Sequence, residues 1–291
     1  MFSKALSWFG ALLAALALAS CARAPEVRPA LWLVEGPGGQ KAWLFGTIHA
    51  LPQPVDWRSP VIEQALAGSD RLVLEIAQID DDAGTAQVFA GLAQSPGLPP
   101  LDQRVPADER DDLAKTMSAD GLKPGALDGY ETWAAALLLQ QAATKAGNSD
   151  AGNGIDRALL RGYGKPVEEF EGAATQLAIF DKLPESTQRR LLSAALTDPK
   201  EAEQELARMA QAWSRADLGL IDRETNEEFL SDPVLREALL VSRNRAWEAR
   251  LIAMLRAGAH PFVAVGTAHL VGKDGLPAQL AANGYKVTRL Q

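Results

Sequence analysis

The sequence predicts an α/β domain with a mixed sheet, built from two strand-helix-strand units and a large helical insertion. The first reason is a repeat: an apolar strand that runs into Gly-Thr-x-His, followed by a helix and another strand, occurs near the start and again at the end of the chain. The second reason is the region between the repeats, about 106–258, where apolar residues recur at helical spacing. Hydrophobic residues make up 47% of the 291 residues, which is enough for a large core.

The first residues are typical of an export signal. Lys4 precedes an apolar run that is shorter than the roughly 20 residues needed to span a bilayer. The run ends in Leu-Ala-Ser-Cys, which resembles a bacterial lipobox, so we expect residues 1–20 to be removed and Cys21 to carry a lipid. The alternative is an ordinary signal cleaved at Ala22 or Ala24, which gives a soluble periplasmic or secreted protein. Both alternatives place the folded domain either in the cell envelope, facing the periplasm, or outside the cell.

The cysteine count and the net charge exclude several classes of protein. Cys21 is the only cysteine, so the domain over 31–291, which follows a linker over 21–30, has no disulfide, thiolate nucleophile or thiolate metal ligand. The net charge of -8 argues against nucleic acid and against anionic membrane surfaces as partners, because both need a basic face. The lipid on Cys21 is therefore the expected membrane attachment.

The first strand-helix-strand unit opens with a β-hairpin. Apolar residues at 31–34 and 42–45 flank a glycine-rich turn, and the second strand runs into Gly-Thr-Ile-His at 46–49. Serine and proline at the start of 59–67 are typical of a helix N-cap and first turn. Residues 71–76 then form the next strand.

The second unit repeats this order after the helical insertion. An apolar strand at 261–265 leads into Gly-Thr-Ala-His, and a helix over 276–282 and a strand over 285–290 follow. The insertion contains one short strand, predicted over 165–171, among helices predicted over 131–145, 155–162, 187–196, 201–213 and 234–255. We expect the insertion to cover one face of the sheet and to shape the entrance to a site.

His49, Glu75 and His269 are the main candidates for that site. Right-handed crossovers make the strands of each unit parallel, so these residues follow strand ends at one edge of the sheet. Two imidazoles and a carboxylate suit a divalent metal with open positions, and metal-bound water is a usable nucleophile near neutral pH. We expect Gly46 and Gly266 to let the backbone turn sharply beside the ion. The alternative is that both histidines are structural.

Further candidates come from the helical region. Asp156 opens a helix, where it either stabilises the helix dipole or orients a histidine. Glu171 ends the short strand, either as a carboxylate at the same edge or as a solvated residue. Arg243, Asn244 and Arg245 lie on one helix, so at most two of them can reach a common site. A guanidinium there could bind a substrate carboxylate or stabilise an oxyanion, or it could lie on a solvated face.

Taken together, several of these segments resemble the TraB/GumN family. The segments that carry the likeness are 31–34, 43–49, 72–75, 154–156, 165–171, 243–245 and 263–272. This family is similar to the Tiki proteins, which are metal-dependent proteases, and is grouped with erythromycin-esterase-like and haem-related ChaN-like proteins. The resemblance implies a metal-dependent hydrolase, most plausibly a peptidase, with its metal on His49, Glu75 and His269 and with Arg243 and Asn244 beside it.

The resemblance suggests manganese or cobalt as the metal, and zinc is the physical alternative. The expected partner is a peptide or another small substrate of the cell envelope. The competing hypothesis is an envelope protein that binds or sequesters a peptide, a sugar or haem without turning it over.

Overall fold

The structure is a computed structural model that describes residues 27–291, so the predicted signal peptide, Cys21 and the first part of the linker lie outside the described residues. A six-stranded sheet forms the centre of this part of the chain, in the order β4-β3-β5-β2-β1-β6. The strands are β1 (Leu31–Glu35), β2 (Lys41–Thr47), β3 (Arg71–Leu74), β4 (Val167–Glu169), β5 (Pro261–Gly266) and β6 (Lys286–Arg289). The neighbours among β4, β3, β5 and β2 are parallel, whereas β1 is antiparallel to β2 and β6. This mixed sheet confirms the predicted α/β class.

Helices make up most of the remaining described chain. They are α1 (Pro60–Gly68), α2 (Asp82–Leu92), α3 (Arg110–Ala119), α4 (Thr132–Ala146), α5 (Ile155–Gly162), α6 (Ala173–Asp181), α7 (Glu185–Ala194), α8 (Pro199–Ser214), α9 (Leu218–Arg223), α10 (Pro233–Arg236), α11 (Ser242–Arg256) and α12 (Leu276–Ala282). Short 3-10 turns lie at Leu101–Gln103, Ala107–Glu109, Ala151–Asn153 and Thr267–Leu270. None of the helices over 27–291 has both the length and the apolar character to cross a membrane.

Two π-helical segments extend this helical region. Glu224–Phe229 continues α9, and Glu237–Val241 joins α10 to α11, so the helix predicted over 234–255 is one continuous helical stretch. The strand predicted over 71–76 ends two residues early, at Leu74. Helix α2 was not predicted, because none of its residues is fully buried and its sequence lacks a clear apolar stripe.

The helices of the insertion cover both faces of the sheet, so the expectation that they cover one face is wrong. On one face, α5 and α8 pack together with α1 against residues such as Phe45 and Phe262. On the other face, α11 and α12 pack against residues such as Leu44 and Val263. The reason lies in β5, where four consecutive apolar residues, 262–265, are fully buried and need cover on both sides. A third core around α4 and Trp133 lies within the insertion.

Candidate active site

The carboxyl ends of four parallel strands meet at one edge of the sheet, and a candidate residue follows each of them. In the spatial order β4, β3, β5, β2 these residues are Glu171, Glu75, His269 and His49. The side chains come from parts of the chain more than 200 residues apart, and the parallel pairing of β2 and β3 with β5 brings them together. The edge is the usual ligand position in an open α/β sheet.

The two glycines of the repeat make room for side chains. A Cβ atom on Gly46 would lie 2.6 Å from Oγ1 of Thr267, and a Cβ atom on Gly266 would lie 3.4 Å from both Nε2 of His49 and Oε1 of Glu75. Neither glycine has a positive φ. The expectation of a sharp turn is wrong for Gly46, which lies inside β2, whereas at Gly266 the chain passes directly from β5 into a 3-10 turn. Instead, the missing side chains let the two Gly-Thr-x-His segments fit against each other and leave space beside the imidazole and the carboxylate.

Asp156 holds the His49 ring. Nδ1 of His49 donates to Oδ2 of Asp156 at 2.8 Å, and Oγ1 of Thr47 donates to Oδ1 of the same carboxylate at 2.7 Å. Attraction to Asp156 is the main cause that raises the pKa of His49 to about 9. The His49 side chain is 63% exposed although Asp156 is buried, so its Nε2 is accessible from the cavity. Of the two roles considered for Asp156, the structure supports orientation of a histidine.

The position of Asp156 depends on a close approach between α5 and the loop after β2. Ile155 donates its backbone N–H to the carbonyl of Ile48 at 3.0 Å. A Cβ atom on Gly154 would lie 2.3 Å from the carbonyl oxygen of His49, so only glycine fits there without a shift of the backbone. The Gly-Ile-Asp segment therefore docks the start of α5 onto the site.

Asn244 fixes the tautomer of His269. The Asn244 amide nitrogen donates to the backbone carbonyls of His269 at 3.2 Å and of Asp274 at 2.7 Å. Its oxygen is therefore the acceptor for Nδ1 of His269 at 2.7 Å, which leaves a lone pair on Nε2. Burial lowers the pKa of His269 to about 3, and attraction to Glu75 offsets only part of this effect. His269 is therefore neutral at physiological pH, with Nε2 ready to accept.

Arg243 joins the remaining groups of the site. Its guanidinium donates to Oε2 of Glu75 at 2.7 Å, to Nε2 of His269 at 3.1 Å and to the carboxylate of Glu171 at 3.0 Å. Arg245, in contrast, pairs with Glu237 on the surface. Two of the three neighbouring residues on α11 thus reach the site, which agrees with the geometry of a helix.

Glu75 is ionised, and both of its carboxylate oxygens accept hydrogen bonds. Oε1 accepts the backbone N–H of Gly266 at 2.8 Å, while Oε2 accepts both Arg243 and the side-chain amide of Gln176, the latter at 2.8 Å. Burial raises the pKa of this carboxyl, but the positive charges that His269, Arg243 and His49 can carry outweigh that effect and lower it to about 2. Burial lowers the pKa of the Arg243 guanidinium, but the carboxylates of Glu75 and Glu171 outweigh burial and raise it.

Two residues of the site, Trp247 and Gln176, were missed in the sequence. Trp247 is buried, its ring lies 4.4 Å from the ring of His269 and 4.6 Å from Cζ of Arg243, and its Nε1 donates to Glu171 at 2.9 Å. It is four residues after Arg243 and could have been found from that spacing, which puts both on one face of α11. Gln176 offers no such signal, because its approach to Glu75 depends on how α6 docks.

A small cavity of about 160 Å³ opens at these groups. It is lined by His49, Leu74, Glu75, Ile76, Ile79, Asp156 and Gln176. The lining therefore combines the exposed imidazole of His49 and the carboxylate of Glu75 with the apolar side chains of Leu74, Ile76 and Ile79. A small polar group of a ligand can contact both His49 and Glu75 in this space.

The implied divalent cation fits these residues in donor type and in orientation. Both Nδ1 atoms are held by other side chains, and no side chain at Gly266 fills the space between Nε2 of His49 and Glu75. Nε2 of His269 is linked to Glu75 through the guanidinium of Arg243. However, no group of three His, Cys, Asp or Glu residues within 27–291 is arranged to hold an ion as it stands. The guanidinium of Arg243, which bonds both Glu75 and His269, is the group that an ion would have to displace.

Comparison with known proteins extends over nearly the whole described chain. The chain is 29% identical over 248 residues to a protein of Shigella flexneri named "Uncharacterized protein YbaP". The alignment covers 84% of this chain and 89% of the relative. The protein of the same name from Escherichia coli K12 gives the same identity and coverage. No solved structure matches the chain. The model of the TraB/PrgY/gumN family matches residues 30–289, and the chain belongs to this family.

Proposed function

We propose that the protein is a metal-dependent hydrolase of the cell envelope that cleaves a peptide or a similar amide. One observation carries the proposal: two histidines from the two copies of Gly-Thr-x-His have their Nδ1 atoms held by Asp156 and Asn244. Nε2 of His49 adjoins the same open space as the Glu75 carboxylate, and Nε2 of His269 shares the guanidinium of Arg243 with that carboxylate. In histidines that bind metals, the ring nitrogen that does not face the ion typically has a hydrogen-bond partner, as Nδ1 has here.

Nε2 of His49, Nε2 of His269 and the carboxylate of Glu75 are the groups that would hold the cation. Manganese or cobalt follows from the family resemblance, with zinc as the alternative. When bound, such an ion polarises a substrate carbonyl and acidifies a water molecule. For the ion to bind, Arg243 has to give up its contact with His269, while its bonds to Glu171 keep it beside the site.

The surrounding residues have distinct roles in this proposal. Asp156 orients His49, and Asn244 keeps the lone pair of His269 on Nε2. Arg243, held by Glu171, supplies a fixed positive charge for the oxyanion that develops when an amide carbonyl is attacked. Gln176 lies at the cavity and can donate a hydrogen bond to the substrate backbone.

The proposed location is the periplasmic side of the cell envelope, with a lipid on Cys21 as the anchor. The support is the lipobox-like sequence before Cys21. Labelling cells with a radioactive fatty acid tests this proposal. Wild-type protein should incorporate the label and Cys21→Ser should not, whereas an unlabelled wild type would favour the soluble or secreted alternative.

The hydrolase proposal is tested with the full chain, loaded with Mn²⁺, Co²⁺ or Zn²⁺ and incubated with a mixture of peptides of defined sequence. We expect fragments by mass spectrometry from the wild type, and none after chelation or from His49→Ala, Glu75→Gln and His269→Ala. Arg245→Ala is the matched control, since Arg245 lies on the surface of α11. Full cleavage by His269→Ala would contradict the shared site.

A second candidate function is a binding protein that holds a peptide, sugar or haem without turnover. One observation favours it: the guanidinium of Arg243 already donates hydrogen bonds to Glu75 and His269, two of the groups that would otherwise hold a catalytic ion. The same incubation separates the two functions. Intact ligand recovered in stoichiometric amounts supports binding, and fragments support catalysis.

A further inference from the structure

A larger pocket lies beside the site, between α2, α4 and α6. Its volume is about 680 Å³, within the range of pockets that take small molecules or parts of a peptide. Four half-buried apolar side chains form its floor and pack against the core of the helical insertion: Phe89, Leu137, Leu138 and Leu177.

The rim of the pocket is polar and carries both signs of charge. Arg157 forms ion pairs with Asp80 and with Asp82, the latter at 3.2 Å, and Asp150 accepts the backbone N–H of Gly152 at 2.7 Å. Because Arg157, the basic residue of the lining, is already engaged by two carboxylates, the rim does not favour an acidic ligand group. A polar rim over an apolar floor is typical of sites that bind an apolar group by its shape.

The walls of the pocket begin one residue away from the site. On α5, Asp156 contacts His49 and the next residue, Arg157, lines the pocket. On α6, Gln176 contacts Glu75 and the next residue, Leu177, forms part of the floor. The site and the pocket are therefore walled in part by the same two helices, α5 and α6.

We propose that the pocket binds a bulky apolar side chain, aromatic or long aliphatic, of the peptide that reaches the site. The inference rests on the proposed function for the reaction at Glu75, but the binding preference can be measured without any cleavage. Removal of such a side chain from water strengthens binding by about tenfold to a hundredfold relative to glycine at the same place.

The test fills the pocket from one exposed position. Ala86 lies on the wall formed by α2 and is exposed, so Ala86→Trp blocks the pocket without a change in the core. Gln87→Trp is the matched control, because Gln87 is exposed on the same helix, does not line the pocket and does not share the helix face of Ala86. The probes are two end-blocked, fluorescein-labelled Gly/Ser heptapeptides that differ only in a central Phe or Gly. Their Kd values for the full chain are measured by fluorescence anisotropy.

Wild type and Gln87→Trp should bind the Phe peptide at least about tenfold more tightly than the Gly peptide. In Ala86→Trp the ratio of the two Kd values should fall to about one. If the tryptophan variant does not fold, Ala86→Glu replaces it in the test, because a charge over the apolar floor should lower the ratio in the same way. Equal binding of both peptides by wild type, or an unchanged ratio in the folded Ala86 variants, would overturn the inference.

Mass spectrometry of the same samples separates the two proposals. Preferential binding of the Phe peptide with no cleavage of any peptide would contradict the hydrolase and leave the pocket in place. Cleavage without preference for either peptide would contradict the pocket and leave the hydrolase in place.

Discussion

Replacement of Asp156 by asparagine should return the His49 ring to ordinary acidity. Attraction to the Asp156 carboxylate is the largest effect that raises the pKa of His49 from 6.5 to about 9, and burial works in the opposite direction. Asparagine keeps the size of the side chain and an acceptor for Nδ1 but removes the negative charge. Without that charge, the pKa should fall towards the ordinary value of 6.5, because the largest cause of its rise is removed.

The assay is a proton NMR titration of the histidine ring signals in the metal-free full chain. The chain has three histidines, and a His49→Gln spectrum assigns the signal. Asp150→Asn is the control, since Asp150 contacts Gly152 and no histidine, and His49 should keep a pKa of about 9 in this variant. A His49 pKa that stays near 9 in Asp156→Asn would refute the assigned role of Asp156.

Further predictions concern packing, space at the site and pH. Trp247→Phe removes the hydrogen bond to the Glu171 carboxylate and should lower the free energy of unfolding in urea by about 1–3 kcal/mol. Gly46→Ala places a Cβ atom 2.6 Å from Thr267 and should cost about 1–3 kcal/mol in the same assay. Gly266→Ala, whose Cβ atom would lie at contact distance, should cost less stability but weaken metal binding measured by calorimetry. In the metal-free chain, the stability contributed by protonated His49 should be fully present below pH 6.5 and should be lost as the pH rises through about 9. Free energies of unfolding in urea, measured at several pH values for the wild type and for Asp156→Asn, test this prediction. Each expectation would be contradicted by a variant that matches the wild type in the assay named.

The convergence of the candidate residues was predictable, because it follows from the repeat and from parallel strands. His49, Glu75 and His269 each lie within three residues of a strand end, and the right-handed crossover rule puts such strand ends at one edge. The meeting of these residues could therefore be predicted before the fold was known. The metal itself stays a prediction.

The contacts between elements were much harder to predict. Spacing left two roles open for Asp156, and only the docking of α5, with Gly154 against the carbonyl of His49, brings its carboxylate to the ring. Gln176 reaches Glu75 because α6 begins just after Gly172, whose backbone N–H donates to the carbonyl of Glu75, and no local pattern reveals this contact. Helix α2, which forms one wall of the apolar pocket, was missed because its residues are at most half-buried.

Metal binding by the full chain is the most direct test of the shared site. With Co²⁺ as the probe, the wild type should bind one ion per chain and develop visible absorption bands from coordination by nitrogen and oxygen. His49→Ala and His269→Ala should each lose those bands, while Arg245→Ala keeps them. If either histidine variant binds Co²⁺ like the wild type, the two copies of Gly-Thr-x-His do not form one metal site.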